Sequence, residues 1–285
     1  MKWLGRRQSG NVEDRRGFSG GGLAIGGGIG GLLIYLAINF FFGSDSANLV
    51  DQISSNQQQT EARGVVETKD AQEDKIAEFS ATVLALTEDV WNKLFAEQGM
   101  DYREPVMVLF RERTGSACGS ANSAVGPFYC PADQKVYLDL SFFSDLQTRF
   151  GAAGDFATAY VIAHEVGHHV QQLLGTSEKI QRRMQQLSEK EANKLSVALE
   201  LQADFYAGVW AHHNQQMTKV MEAGDLEEAL NAARAIGDDR LQKMSGREVV
   251  PDAFTHGTSK QRAFWFKKGY TSGDLKQGDT FSENY

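Results

Sequence analysis

Between residues 68 and 98 apolar side chains return every three or four positions (Ile76, Phe79, Val83, Leu86, Val90, Leu94), the spacing that lines one face of a helix. Pro105 ends that texture. Residues 106–110 form a continuous apolar run that reads as a buried strand. Residues 135–140 read as a second, entered through a turn at Asp133 and Gln134. Helical patterning then returns over 155–174, stopped by Gly175, and over about 178–187, 188–213, 226–236, 241–245 and 259–270. No internal repeat is visible. The pattern predicts an α+β domain over residues 68–285, mostly helical with a small β-sheet. Its cleft is expected between the 155–174 helix and the second strand.

The N-terminal part has a different character. Residues 23–42 hold no charged side chain, and a helix of that length spans about 30 Å, the thickness of a bilayer core. Lys2, Arg6, Arg7, Arg15 and Arg16 precede it, and after Asp45 and Asp51 no cation follows until Arg63. The positive-inside rule then predicts a basic cytoplasmic tail (1–19), a transmembrane helix (20–42), a polar linker (43–67) and the large domain outside the membrane. A cleaved signal peptide is the alternative, although no A-x-A site follows Phe42. Gly22, Gly26 and Gly30 are spaced as GxxxG, a pattern of close helix approach.

The chain has 285 residues, 41% of them hydrophobic, enough for one packed domain and a tail. A net charge of −8 argues against a general nucleic-acid binder. The two cysteines, Cys118 and Cys130, flank a loop rich in Gly, Ser and Asn. An extracytoplasmic domain would bridge them, whereas a cytoplasmic one would keep two buried thiols.

Candidate chemistry centres on His164-Glu165-Val166-Gly167-His168, an HExxH string. At about 100° per residue the two imidazoles stand about 40° apart on one helix face and one turn apart along it. They can hold one zinc ion, while Glu165, beside them, can reach a water without binding the metal. The plainer reading is a pair of core histidines. His169 lies about 140° from His164 and points elsewhere. His212 and His213 sit near a helix end, where the dipole favours histidine.

Catalytic zinc takes three protein ligands and leaves one position open. Glu200 and Asp204 share a face of the 188–213 helix among Leu199, Leu201, Ala203, Phe205 and Tyr206. Their arrangement resembles the ExxxD of the gluzincins, which implies Glu200 as metal ligand and Asp204 as the partner of one histidine's free ring nitrogen. His256 and Arg262 resemble the His-(Pro or Gly)-x-x-x-x-Arg element of several membrane-linked gluzincins, which implies substrate positioning or oxyanion support. Alternatively, Thr255 or Thr258 caps the next helix and Arg262 is an ordinary cation.

Taken together, Cys118-Gly119, Gly126-Pro127-Phe128-Tyr129-Cys130-Pro131, Val136-Tyr137-Leu138-Asp139, His164–His169, Glu200–Asp204, residues 254–262 and the N-terminal Arg6-Arg7 and Asn11–Gly17 resemble the neutral zinc metallopeptidase family of bacterial inner-membrane proteins. The resemblance implies a membrane-anchored metallopeptidase with a zincin-like fold. It would hold one zinc per chain on His164, His168 and Glu200. The expected reaction is hydrolysis of a peptide or protein substrate by a zinc-activated water, with Glu165 as general base. By analogy with zincins, the substrate would pair with an exposed strand at 136–140. A zinc hydrolase of other amide or ester bonds and a non-catalytic envelope scaffold are the alternatives.

Overall fold

A computed structural model describes residues 1–17, 71–122, 126–246 and 248–282. Among them the fold is mixed α/β, with eight α-helices and two small sheets. Strand β1 (Val12–Asp14) precedes helix α1 (Ala71–Glu97). Strands β2 (Val106–Phe110), β3 (Arg113–Ser116), β4 (Gly119–Asn122), β5 (Phe128–Cys130) and β6 (Lys135–Asp139) follow. The helical half comprises α2 (Ser141–Thr148), α3 (Asp155–Leu173), α4 (Thr176–Met184), α5 (Glu189–Thr218), α6 (Asp225–Ala235), α7 (Asp238–Met244) and α8 (Ser259–Ser272).

The main sheet runs β1-β2-β6-β5, with β1, β2 and β6 parallel and β5 antiparallel to β6. Strands β3 and β4 form a separate antiparallel hairpin. A Cys118–Cys130 disulfide ties the turn of that hairpin to the end of β5. The main core joins Trp91 of α1, Leu109 of β2, Leu138 of β6, Ile162 of α3, Trp210 of α5 and Trp265 of α8. The large aromatic residues fill the space between helices that the short sheet cannot cover.

Two expectations are corrected. Strand β6 lies between β2 and β5, so both its edges are already paired and it cannot receive a substrate as an added strand. The second correction is the membrane topology. Residues 1–17 are part of the domain: β1 pairs with β2, Lys2 donates its backbone N–H to Val220 O at 2.8 Å, and the Met1 side chain is buried. The cations that suggested a cytoplasmic tail are engaged in the fold. Arg7 bridges Glu88 and Asp89, Arg15 pairs with Glu13, and Arg16 pairs with Asp14 and Asp74.

A single crossing between residues 17 and 71 would put two halves of one sheet on opposite sides of a bilayer. The expected transmembrane helix ahead of the domain, and with it the single-pass inner-membrane location, is therefore overturned. Among the described residues no helix is long and apolar enough to cross a membrane. The stretch 23–42, its GxxxG pattern and the linker 43–67 lie outside the described residues.

The helix pair that frames the site is packed unusually closely. A Cβ built on Gly208 of α5 would lie 2.1 Å from Phe266 O, and one on Gly269 of α8 would lie 2.1 Å from Phe205 O. Intrinsic propensity favours Ala over Gly in a helix by about 1 kcal/mol. Gly208→Ala should nevertheless destabilise the fold by about 3 kcal/mol, because the obstructing atoms belong to a backbone that cannot swing aside. Denaturant titration against Gly10→Ala, where a Cβ meets nothing within 4 Å, provides the comparison. Equal midpoints would disprove the close crossing.

Candidate metal centre

Helix α3 carries the HExxH string through the middle of the protein. Its first turn has no side-chain cap of its own. Glu228 of α6 fills that place, accepting Phe156 N–H at 3.0 Å. Helix α5 starts with a capping box in which Ser188 and Glu191 satisfy each other's backbone N–H. The two helices cross where a Cβ on Gly167 would come within 2.9 Å of Ala203 O. Glycine between Val166 and His168 thus lets α5 come close enough for its carboxylates to reach the histidines.

The crossing brings three donors together. His164, His168 and Glu200 offer ligand atoms that all lie within 4.8 Å of one another. His164 Nε2 is 3.2 Å from Glu200 Oε2, and His168 Nε2 is 3.4 Å from Glu200 Oε1. Donors about 2.0–2.1 Å from a tetrahedral zinc stand about 3.3 Å from each other, so the spacing suits that ion.

The chemistry of the donors points the same way. Asp204, fully buried, accepts from Tyr160 Oη at 2.5 Å, from Arg262 Nε at 2.8 Å and from His164 Nδ1 at 2.8 Å. Burial would raise its carboxyl pKa, but Arg262 and His164 outweigh burial and hold it below the usual range. An ionised carboxylate only accepts, so His164 carries its proton on Nδ1. Its Nε2 then turns a lone pair towards another carboxylate oxygen, a contact that needs a cation or an extra proton between the two. Burial would lower the His164 pKa, yet Asp204 and Glu200 raise it to about 10.

The other expected residues divide. Glu165 sits 7% exposed beside the donors and makes no hydrogen bond or ion pair to another described residue. Burial raises its pKa, against the pull of His164 and His168. His256 is held at the site by Asp238, whose Oδ2 accepts the backbone N–H of Thr255, His256 and Gly257 and whose Oδ1 lies 3.2 Å from His256 Nδ1. Burial would lower the His256 pKa, but Glu200 and Asp238 together raise it.

Arg262 lies beside the candidate ligands, its Nη2 4.0 Å from Glu200 Oε2. It is 2% exposed, and its donors go to Asp204, Tyr160 and Ile236 O, so the guanidinium is spent inside the protein. The cap of α8 is Thr258, in a box with Gln261. His169 turns away to Arg103 O and Tyr129 Oη, while His212 and His213 bond Tyr270 O and Gly273 O.

Sequence reading missed Asp238, Tyr160 and Gln171. The partners of Asp238 and Tyr160 lie far along the chain, and no local spacing betrays them. Gln171, three residues after His168 on the same helix, was open to detection by helical geometry.

An HExxH helix crossed by a second helix that offers a glutamate to the same point resembles the frame of a gluzincin metal site. The chain belongs to the family described as "putative neutral zinc metallopeptidase", which matches residues 1–281. It is 50% identical over 292 residues to the uncharacterized protein YpfJ of Escherichia coli K12, covering 100% of both chains. It is also 45% identical over 203 residues to the uncharacterized protein Rv2575 of Mycobacterium tuberculosis H37Rv, covering 68% of this chain and 66% of that one. No solved structure matches it significantly.

Proposed function

We propose that the chain is a zinc-dependent peptidase that holds one zinc ion on His164, His168 and Glu200. The observation that carries this reading is the meeting of those three donors across the α3–α5 crossing. Zinc there would supply Lewis-acid polarisation and would bring the pKa of a water down to about 7.

The protein's own groups divide the remaining work. Glu165 accepts a proton from the attacking water and returns it to the leaving amine nitrogen. Asp204 keeps the proton of His164 on Nδ1 and so keeps Nε2 free as a ligand. His256, its Nδ1 side occupied by Asp238 and Thr255, has its Nε2 edge left for the carbonyl oxygen that gains charge. Extended substrate would lie along β5, the sheet edge that touches α3 through Tyr129 and His169.

Chelation should abolish peptide hydrolysis, and zinc should restore it at one equivalent per chain. His164→Ala should bind no zinc by elemental analysis. Unchanged stoichiometry in that variant would remove the ligand assignment. A peptide library run beside amide and ester panels separates a peptidase from another zinc hydrolase.

A further inference from the structure

The second histidine has its own orienting partner, and this one carries no charge. His168 Nδ1 lies 2.9 Å from Gln171 Oε1, and Gln171 is fully buried. The amide nitrogen of Gln171 donates to Leu199 O at 2.7 Å and to Gln202 Oε1 at 3.1 Å. Gln202 in turn donates to Gly278 O at 2.8 Å.

The polarity of this chain of bonds is fixed at one end. A backbone carbonyl can only accept, so Leu199 O must face the NH2 of Gln171. The carbonyl of Gln171 must then face His168. An amide oxygen can only accept, so the proton of a neutral His168 lies on Nδ1. The Nε2 lone pair is thereby aimed at Glu200 Oε1.

We propose that Gln171 is a metal-positioning residue. It locks His168 in the Nδ1–H tautomer through a relay that starts at Leu199 O, the carbonyl next to the Glu200 ligand. The inference rests on the metal-site reading above and adds to it a separate determinant of zinc affinity. His164 is then fixed from α5 by a carboxylate, and His168 from its own helix by an amide that takes its direction from the main chain of α5. The neutral partner suits the position, since Glu200 already supplies one half-buried carboxylate and Arg262 is committed to Asp204.

The tautomer can be read without metal or activity. Side-chain nitrogen NMR of the metal-free wild-type chain should show a proton on His168 Nδ1 in every protonation state of the ring. A proton mainly on Nε2 would overturn the proposal. Gln171→Met keeps the volume and removes the relay, so zinc affinity by chelator competition should fall by about 10–100-fold.

Gln202→Met is the control. It removes another buried amide from the same network but leaves Gln171 held by Leu199 O, so zinc affinity should change by less than about threefold. An equal loss in both variants would mean that the network only supports the fold, and it would overturn the positioning role. Failure of the wild-type chain to take up zinc would sink the functional reading as well, and is distinguishable because the tautomer is measured on metal-free protein.

Discussion

Glu165→Gln should retain a full equivalent of zinc and lose peptide hydrolysis by about 10²–10⁴-fold in kcat, the usual contribution of a positioned general base. Glutamine keeps the shape and a hydrogen-bonding oxygen but cannot take a proton. Glu165 suits the role because it is buried beside the donors without a partner of its own among the described residues. Burial raises its pKa against the pull of His164 and His168, the direction that suits a base which must both accept a proton and give it up. Elemental analysis and turnover on one peptide substrate check both halves. Full activity in the variant would exclude Glu165 as the base. A chain that merely scaffolds other proteins gives a third pattern: partners would bind wild type and Glu165→Gln equally, whereas a peptidase would retain substrates only in the variant.

The longer helices were legible because their apolar stripes are long, whereas the eight-residue α2 (Ser141–Thr148) was not read as a helix. The 3–4 spacing from Ile76 to Leu94 became α1, and the turn signals around Gly175 and Ser188 bounded α4 and α5. Strands β2 and β6 showed as buried runs, but their neighbours did not. Val12-Glu13-Asp14 has no alternation to detect, and its partner β2 is more than ninety residues away. That long-range pairing also explains the misread N-terminus. Arginines that neutralise Glu88, Asp89 and Asp74 in the folded chain look, in sequence, like a charge bias in front of an apolar stretch. The donors of the candidate metal centre lie on two helices with a readable local pattern, so their types and spacing were visible. The groups that orient them were less so, because each is a single polar residue whose meaning depends on a crossing of helices. Arg262 shows the difference: its spacing from His256 is readable in the sequence, but its grip on Asp204 depends on how α8 packs against α5.

Arg262→Met should cost about 3–5 kcal/mol of stability in the metal-free protein, the usual penalty for removing one partner of a buried ion pair. Asp204 is fully buried, and the guanidinium grips it side-on, Nε to Oδ2 at 2.8 Å and Nη2 to Oδ1 at 3.1 Å. Methionine fills the space of the alkyl stem and strips the charge, leaving a carboxylate with, among the described residues, only Tyr160 and His164 as donors. Arg262→Lys should recover little, since a single ammonium cannot reproduce two parallel bonds. Removing both charges with Arg262→Met and Asp204→Leu should return much of the lost stability, because nothing charged is then left uncompensated. Zinc affinity should not return with it, since His164 Nδ1 would face a hydrocarbon and its proton could move to the nitrogen that must bind metal. Denaturant midpoints and chelator competition on the single and double variants separate the two effects. A single variant within about 1 kcal/mol of wild type would mean that Asp204 does not need its cation, and the ordering of His164 through that carboxylate would fall with it.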